Sequence, residues 1–210
     1  MKKFVNLKIF KVEKLNSIKD FYSIINLIKT ENKYSILSKL SKTLIIEYLK
    51  IAFSSKNLFL FVLKYNKKNI GYSIFAKNEI NLIKDFEPIK FKIFIELLLR
   101  LKFFSLINIV LAMTKLDLIL LNKKYFNKKN ILNLNLLAIN RSFQSRGFGS
   151  YFLSQSTKII HKNFYKFKYI TCEAPNLRAL NFYTKKKHFR FVGKKIRLPK
   201  NFYVLIKKFN

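Results

Sequence analysis

The chain has 210 residues, half of them apolar, enough for one domain with its own core and too hydrophobic for a disordered polymer. Its 43 basic and 10 acidic residues leave a net charge of +33, which favours anionic partners such as phosphorylated small molecules, RNA and acidic lipids. All but six of those cations are Lys, spread along the chain with other A/T-coded residues, so no Arg/Asn/Gln cluster for reading DNA bases stands out.

A single cysteine, Cys172, excludes an intramolecular disulfide and fits a reducing cytoplasm. Lysines at 8, 11 and 14 interrupt the apolar stretch after Met1, so no secretory signal is expected. No linker-like segment and no repeat divide the chain, and residues 1–210 read as one domain.

Leu7 to Leu15 predicts a first strand, with Ile9, Phe10 and Val12 apolar. Asn16 or Ser17 can cap a helix with Asp20 in its first turn, and Phe21, Ile24, Ile25 and Ile28 recur at helical spacing. A second helix is expected over Tyr34 to Ala52. Leu58 to Leu63 and Ile70 to Phe75 read as a hairpin about the turn Asn66 to Asn69. From Phe86 to about Lys123 the spacing of Ile93, Phe94, Leu97, Leu98 and Leu101 predicts two short helices. The uncharged run Phe103 to Thr114 is too short for a bilayer, which needs roughly 20 residues. Phe103, Phe104, Leu106, Ile107 and Leu111 are expected to cap the core. The alternatives are an acceptor pocket, a homodimer contact, or weak peripheral seating in a membrane interface beside lysines.

The apolar strand 131–139 carries Leu137, Ala138 and Ile139 and ends at Asn140. A short polar turn follows, and then Gly147 and Gly149, two of only four glycines, open the apolar run Tyr151-Phe152-Leu153. A strand, a tight loop and a helix N-terminus present backbone N–H groups and the positive end of a dipole, which suits phosphate. The loop lacks the Gly-Lys-Ser/Thr ending of a P-loop and the first glycine of the dinucleotide fingerprint. Tyr169 to Glu173 reads as a further strand, Asn176 as a helix N-cap, and Phe202 to Ile206 as a late strand.

Gln144-Ser145-Arg146-Gly147-Phe148-Gly149 resembles the Q/R-x-x-G-x-G/A acyl-CoA loop of the GNAT superfamily of N-acyltransferases. Asn176-Leu177-Arg178-Ala179-Leu180-Asn181-Phe182-Tyr183 resembles that family's second segment, N-x-x-A-x-x-F-Y. The family's glycine in the following turn is replaced by His188, one residue late.

The resemblance implies an α/β (α+β) fold, a mixed and mostly antiparallel sheet flanked by helices, with 86–123 as a helical insertion. It implies acetyl-CoA as co-substrate, its pyrophosphate on the backbone N–H groups from Arg146 through Gly147, Phe148 and Gly149 to Ser150. Leu137, Ala138 and Ile139 would run beside the pantetheine arm and polarise the thioester carbonyl, with Asn176 and Phe182 completing the cofactor site. Tyr183 would protonate the departing thiolate.

The acceptor is expected to be a primary amine on a small molecule or a protein. Candidates are an amino sugar or nucleotide-linked sugar, or a protein N-terminus such as that of a ribosomal protein. A lysine-like amine costs roughly 4.6 kcal/mol to deprotonate at pH 7 and an α-amine about 1.4, so a general base helps. The strand 131–139 holds no carboxylate, which leaves Glu173 as the candidate, with Glu47 second. No His/Cys/Asp spacing suggests a metal. The competing class is a non-enzymatic basic RNA- or membrane-associated binder on the same fold. The intact loop and Tyr183 argue against it.

Overall fold

A computed structural model of the chain describes residues 10–15, 18–77, 85–114, 116–118, 120, 130–163 and 167–209. The elements run β1 (Phe10–Lys14), α1 (Phe21–Glu31), α2 (Lys42–Ser54), β2 (Leu58–Tyr65) and β3 (Lys68–Ala76). Next come α3 (Glu87–Leu99), α4 (Phe103–Met113), β4 (Ile131–Ile139) and α5 (Phe148–Asn163). The chain closes with β5 (Tyr169–Ala174), α6 (Leu177–Lys187), β6 (Arg190–Lys195) and β7 (Phe202–Lys208). One seven-stranded sheet has the order β1-β2-β3-β4-β5-β7-β6, antiparallel at every pairing except the parallel β4/β5.

Leu58 to Leu63 is buried at every position because both faces of the sheet are covered, which is why that strand reads as a continuous apolar run. Leu58, Leu60 and Val62 join α1, α2 and Leu97 of α3 in one core. Phe59, Phe61 and Leu63 join α5 and the strands β4, β5 and β7 in the other. The hairpin turns through Asn66 and Lys67, both at positive φ (46° and 62°), as tight β-hairpins require. Gly71 has no alternative: a Cβ there would sit 2.6 Å from Ile139 Cδ1 and 2.9 Å from the Ala138 carbonyl. That close approach lets β3 run tightly along the end of β4.

Two helical expectations shift. Asn16, Ser17 and residues 7–9 lie outside the described residues, and the position before α1 is Asp20, which makes no side-chain cap. The single helix expected over Tyr34 to Ala52 is instead a 3-10 turn at Ile36–Lys39 followed by α2 from Lys42 to Ser54. Ser35 and Ser41 are the reason: each accepts a backbone N–H two or three residues ahead, at Leu37 and Leu44, and so starts a new element.

The insertion forms as two helices joined through Leu101, which adopts φ 52°. Glu96 of α3 accepts from the Ser41 backbone N–H and hydroxyl (the latter 2.7 Å) and pairs with Arg100 at 2.9 Å. Asn108 of α4, buried, donates to the Leu198 carbonyl at 2.8 Å and accepts from its N–H at 2.7 Å. The expected core-capping role holds for Leu106, which packs on the N-terminal core beside Ile109, a residue outside that expectation. It fails for Phe103, Phe104 and Ile107, which are 56%, 57% and 42% exposed. The core beneath α4 has room for one stripe of that helix only. No helix among the described residues is long and apolar enough to cross a membrane.

Candidate active site

β4 and β5 pair only from Ile131/Tyr169 to Leu134/Cys172. Past that point β5 continues on β7, through Glu173/Val204 and Ala174/Tyr203, while β4 continues on β3. A bulge at Asn135, where Ile74 faces Leu136 and Phe75 faces Leu134, turns β4 away. The two parallel strands therefore diverge, and the backbone of 135–139 is left unpaired on its β5 side. Such an edge can accept an extended ligand as an added strand.

The loop after β4 closes one end of this wedge. Gly147 has φ +91°, and a Cβ there would meet nothing within 4 Å, so it is the backbone conformation that requires glycine and the space beside it is open. The Tyr151 N–H donates to the Gly147 carbonyl at 3.0 Å, so the first turn of α5 starts directly at the glycine loop. Gly147, Gly149 and Ser150 line a cleft of about 2870 Å³, together with Leu137, Ala138 and Ile139. Phe148 is buried in the core against Phe143, at 5.9 Å between ring centres, so only its main chain can face a ligand. The Arg146 side chain is exposed and off the cleft wall, whereas Arg178 lines the cleft and donates to Ser145 Oγ at 3.3 Å.

Gln144 turns inward. Its amide donates to the Ile139 carbonyl (2.7 Å) and to Glu31 (3.1 Å), and Glu31 also accepts the Arg141 N–H at 3.1 Å. Gln144 thus braces the loop. Glu31, at the end of α1 and 113 residues away in sequence, is a loop-holding residue that sequence reading missed. Nothing local marks it.

Asn176 caps α6 by accepting the Ala179 N–H at 2.9 Å. Phe182 lies over Gly149, 3.5 Å from a Cβ built there, an ordinary contact, so the aromatic wall would tolerate alanine at this position as well. His188 ends the helix in the left-handed region (φ 57°), where a glycine would be unstrained.

Tyr183 is buried against Phe182 and Phe189 and lines the cleft. Burial, and then the neighbouring Cys172, push its hydroxyl well above the ordinary tyrosine value, so it is protonated at neutral pH. Glu173 lies on β5, the strand that leads into α6. Burial raises its carboxyl, but Lys195, bonded at 2.9 Å, and Arg197 outweigh that and hold it below the usual glutamate range. Lys195 also meets the buried Asp117 at 3.4 Å, and Arg197 reaches Asp117 at 2.6 Å. Glu47, the second carboxylate considered, pairs with Lys92 at 3.0 Å on the α2–α3 surface. Among the described residues no group of three or more His, Cys, Asp or Glu could hold a metal ion.

A mixed seven-stranded sheet that splits at its one parallel pair, with a glycine loop leading into a helix beside the split, is the fold of the GNAT acyltransferases. The chain has that fold across nearly its whole length, as solved structures show. A GNAT-family acetyltransferase from Streptococcus pneumoniae covers 96% of this chain and 99% of its own, with a TM-score of 0.58 at 13% identity. The ribosomal-protein-S18-alanine N-acetyltransferase from Escherichia coli covers 95% and 93%, with a TM-score of 0.57 at 11% identity. The mosquito arylalkylamine N-acetyltransferase like 5b covers 95% and 100%, with a TM-score of 0.63 at 10% identity. No family model and no curated protein sequence matches the chain.

Proposed function

We propose that this protein is an N-acyltransferase that moves an acetyl group from acetyl-CoA to a primary amine. The observation that carries the reading is the divergence of β4 from β5 directly beside the Gly147 loop, with Tyr183 in the wall of the same cleft. The donor set suits the co-substrate: a helix N-terminus for the pyrophosphate, an unpaired strand edge at 135–139 for the amide-bearing arm, and the Phe182 face between them. The thioester supplies the activated acyl group. The chain supplies position, with main-chain N–H groups that stabilise charge on the carbonyl oxygen.

Tyr183 is a weaker acid than a thiol near 8.5, so it works by donating a hydrogen bond to the developing sulfur charge. Amide formation releases one proton from the amine, and the thiolate takes up one, so the transfer balances. Glu173 is ionised at neutral pH with Oε1 held by Lys195. We assign it the ordering of a water in a chain that carries the amine proton out of the cleft to bulk solvent, since a carboxyl held this low passes a proton on and does not keep it.

Lys33, Lys39, Arg178, Lys185, Lys186 and Lys200 line the cleft and favour an acceptor that carries negative charge, such as a nucleotide-linked amino sugar. A protein N-terminus is the second reading, favoured by the likeness to the ribosomal-protein acetyltransferase. The test is calorimetric and thermal-shift titration with acetyl-CoA, desulfo-CoA and ATP at moderate salt. Saturable stabilisation by both CoA compounds and not by ATP supports the reading. Equal response to ATP, lost on adding salt, overturns it in favour of a basic binder.

A further inference from the structure

Among the described residues, twenty large apolar side chains are exposed, and thirteen of them fall between Phe91 and Leu120. On α3 they recur as Phe91, Phe94, Ile95 and Leu98, a helical stripe facing water, while Ile89 and Leu97 face the core. On α4 no residue is charged, yet only Asn108 is buried. A soluble monomer rarely leaves a contiguous patch of this kind open. We infer that the outer face of α3 and α4 is a docking surface for an anionic lipid bilayer.

Three observations choose that occupant. Lys90, Lys92 and Lys102 are exposed and stand next to Phe91 and Phe103 in the two helices and their joint, so cations and apolar side chains share this part of the surface. Two copies of the chain would each bring a charge of +33 to a self-association, whereas an acidic headgroup layer neutralises it. The eleven residues of α4 span about 16 Å, a length that lies in an interface and does not cross one. In this pose Phe103, Phe104 and Met113 enter the headgroup/acyl boundary and the lysines stay at headgroup level. The inference is independent of acetyl transfer, since it uses no residue of the Gly147 loop or of α6.

The chain has no tryptophan, so Phe104→Trp places a single reporter in the patch and Tyr22→Trp places one on α1. Both proteins are mixed with phosphatidylcholine vesicles, with and without phosphatidylglycerol. The expected result is blue-shifted, bromolipid-quenched emission from Phe104→Trp on the acidic vesicles alone, and no shift from Tyr22→Trp. The double variant Phe103→Ser/Phe104→Ser, whose charge is unchanged, should lose vesicle partitioning at high salt by at least about tenfold. Three outcomes overturn the inference. Water-like emission from a vesicle-bound Phe104→Trp would mean adsorption by charge alone. Blue-shifted emission in buffer together with a dimeric mass would mean that a second copy covers the patch. Equal partitioning of the double variant and the parent would mean that the phenylalanines take no part.

Discussion

The two sides of the cleft are built on opposite principles. On the side of β4, α5, β5 and α6, the groups that face the cleft are largely main chain: a strand edge at 135–139, loop N–H groups, and the open space beside Gly147. On the side of α3 and α4 they are mostly apolar side chains, many of them exposed, on helices tied down by a few buried polar contacts such as Asn108 with Leu198 and Glu96 with Ser41. A backbone-built site depends on glycine, caps and strand register, and it tolerates varied side chains around it. A side-chain-built wall can change wholesale while its anchors hold. The proposed cofactor half should therefore fail by single substitutions at conformational positions, and the insertion should fail at its anchors.

The largest effect should come from Gly147→Glu. It puts a Cβ at φ +91° and a negative charge on the helix N-terminus, and should weaken acetyl-CoA binding by at least about a hundredfold in calorimetry. Parent-like affinity would break the comparison, because the loop would not then be the anion site. Tyr183→Phe should lower kcat by about two orders of magnitude with little change in acetyl-CoA affinity, read by steady-state kinetics. Unchanged turnover would make Tyr183 a packing residue only.

On the insertion side, Asn108→Ala leaves both main-chain groups of Leu198 without their partner and should cost about 2 kcal/mol in urea unfolding. A negligible cost would mean that the insertion is held by its apolar contacts alone.

The smallest effect sharpens the picture of Glu173, whose side chain is 34% exposed. Glu173→Gln should cost about 1 kcal/mol at neutral pH. Because the folded-state carboxyl is held low, the pair stabilises the fold above the ordinary glutamate range and is lost as pH falls through the depressed value. The difference between parent and variant should therefore shrink toward acid in pH-dependent unfolding. A difference independent of pH would assign the loss to packing.

Much of the fold was legible because its signals are local. Apolar periodicity marked α1, the β2–β3 hairpin, the two helices of the insertion and β7, and the glycine pair marked the loop before α5. The errors also had local causes that periodicity does not register. Ser35 and Ser41 each start a new element inside one apolar pattern, so a single expected helix became a 3-10 turn and α2. Phe103, Phe104 and Ile107 have the apolarity of core residues, and nothing in their own sequence says that the core below is already filled.

The sequence by itself determined the order of elements, the glycine loop, the capped helix that carries Tyr183, and the charge, because each follows from backbone preference or composition over a few neighbouring residues. Only the tertiary structure decided that β4 leaves β5 after Leu134, that Gln144 reaches Glu31, that Lys195 and Arg197 hold Glu173 ionised, and that α4 faces water. Those outcomes depend on strand register and on partners 22 to 113 residues apart, and on which surface is left over once the sheet has covered both its faces.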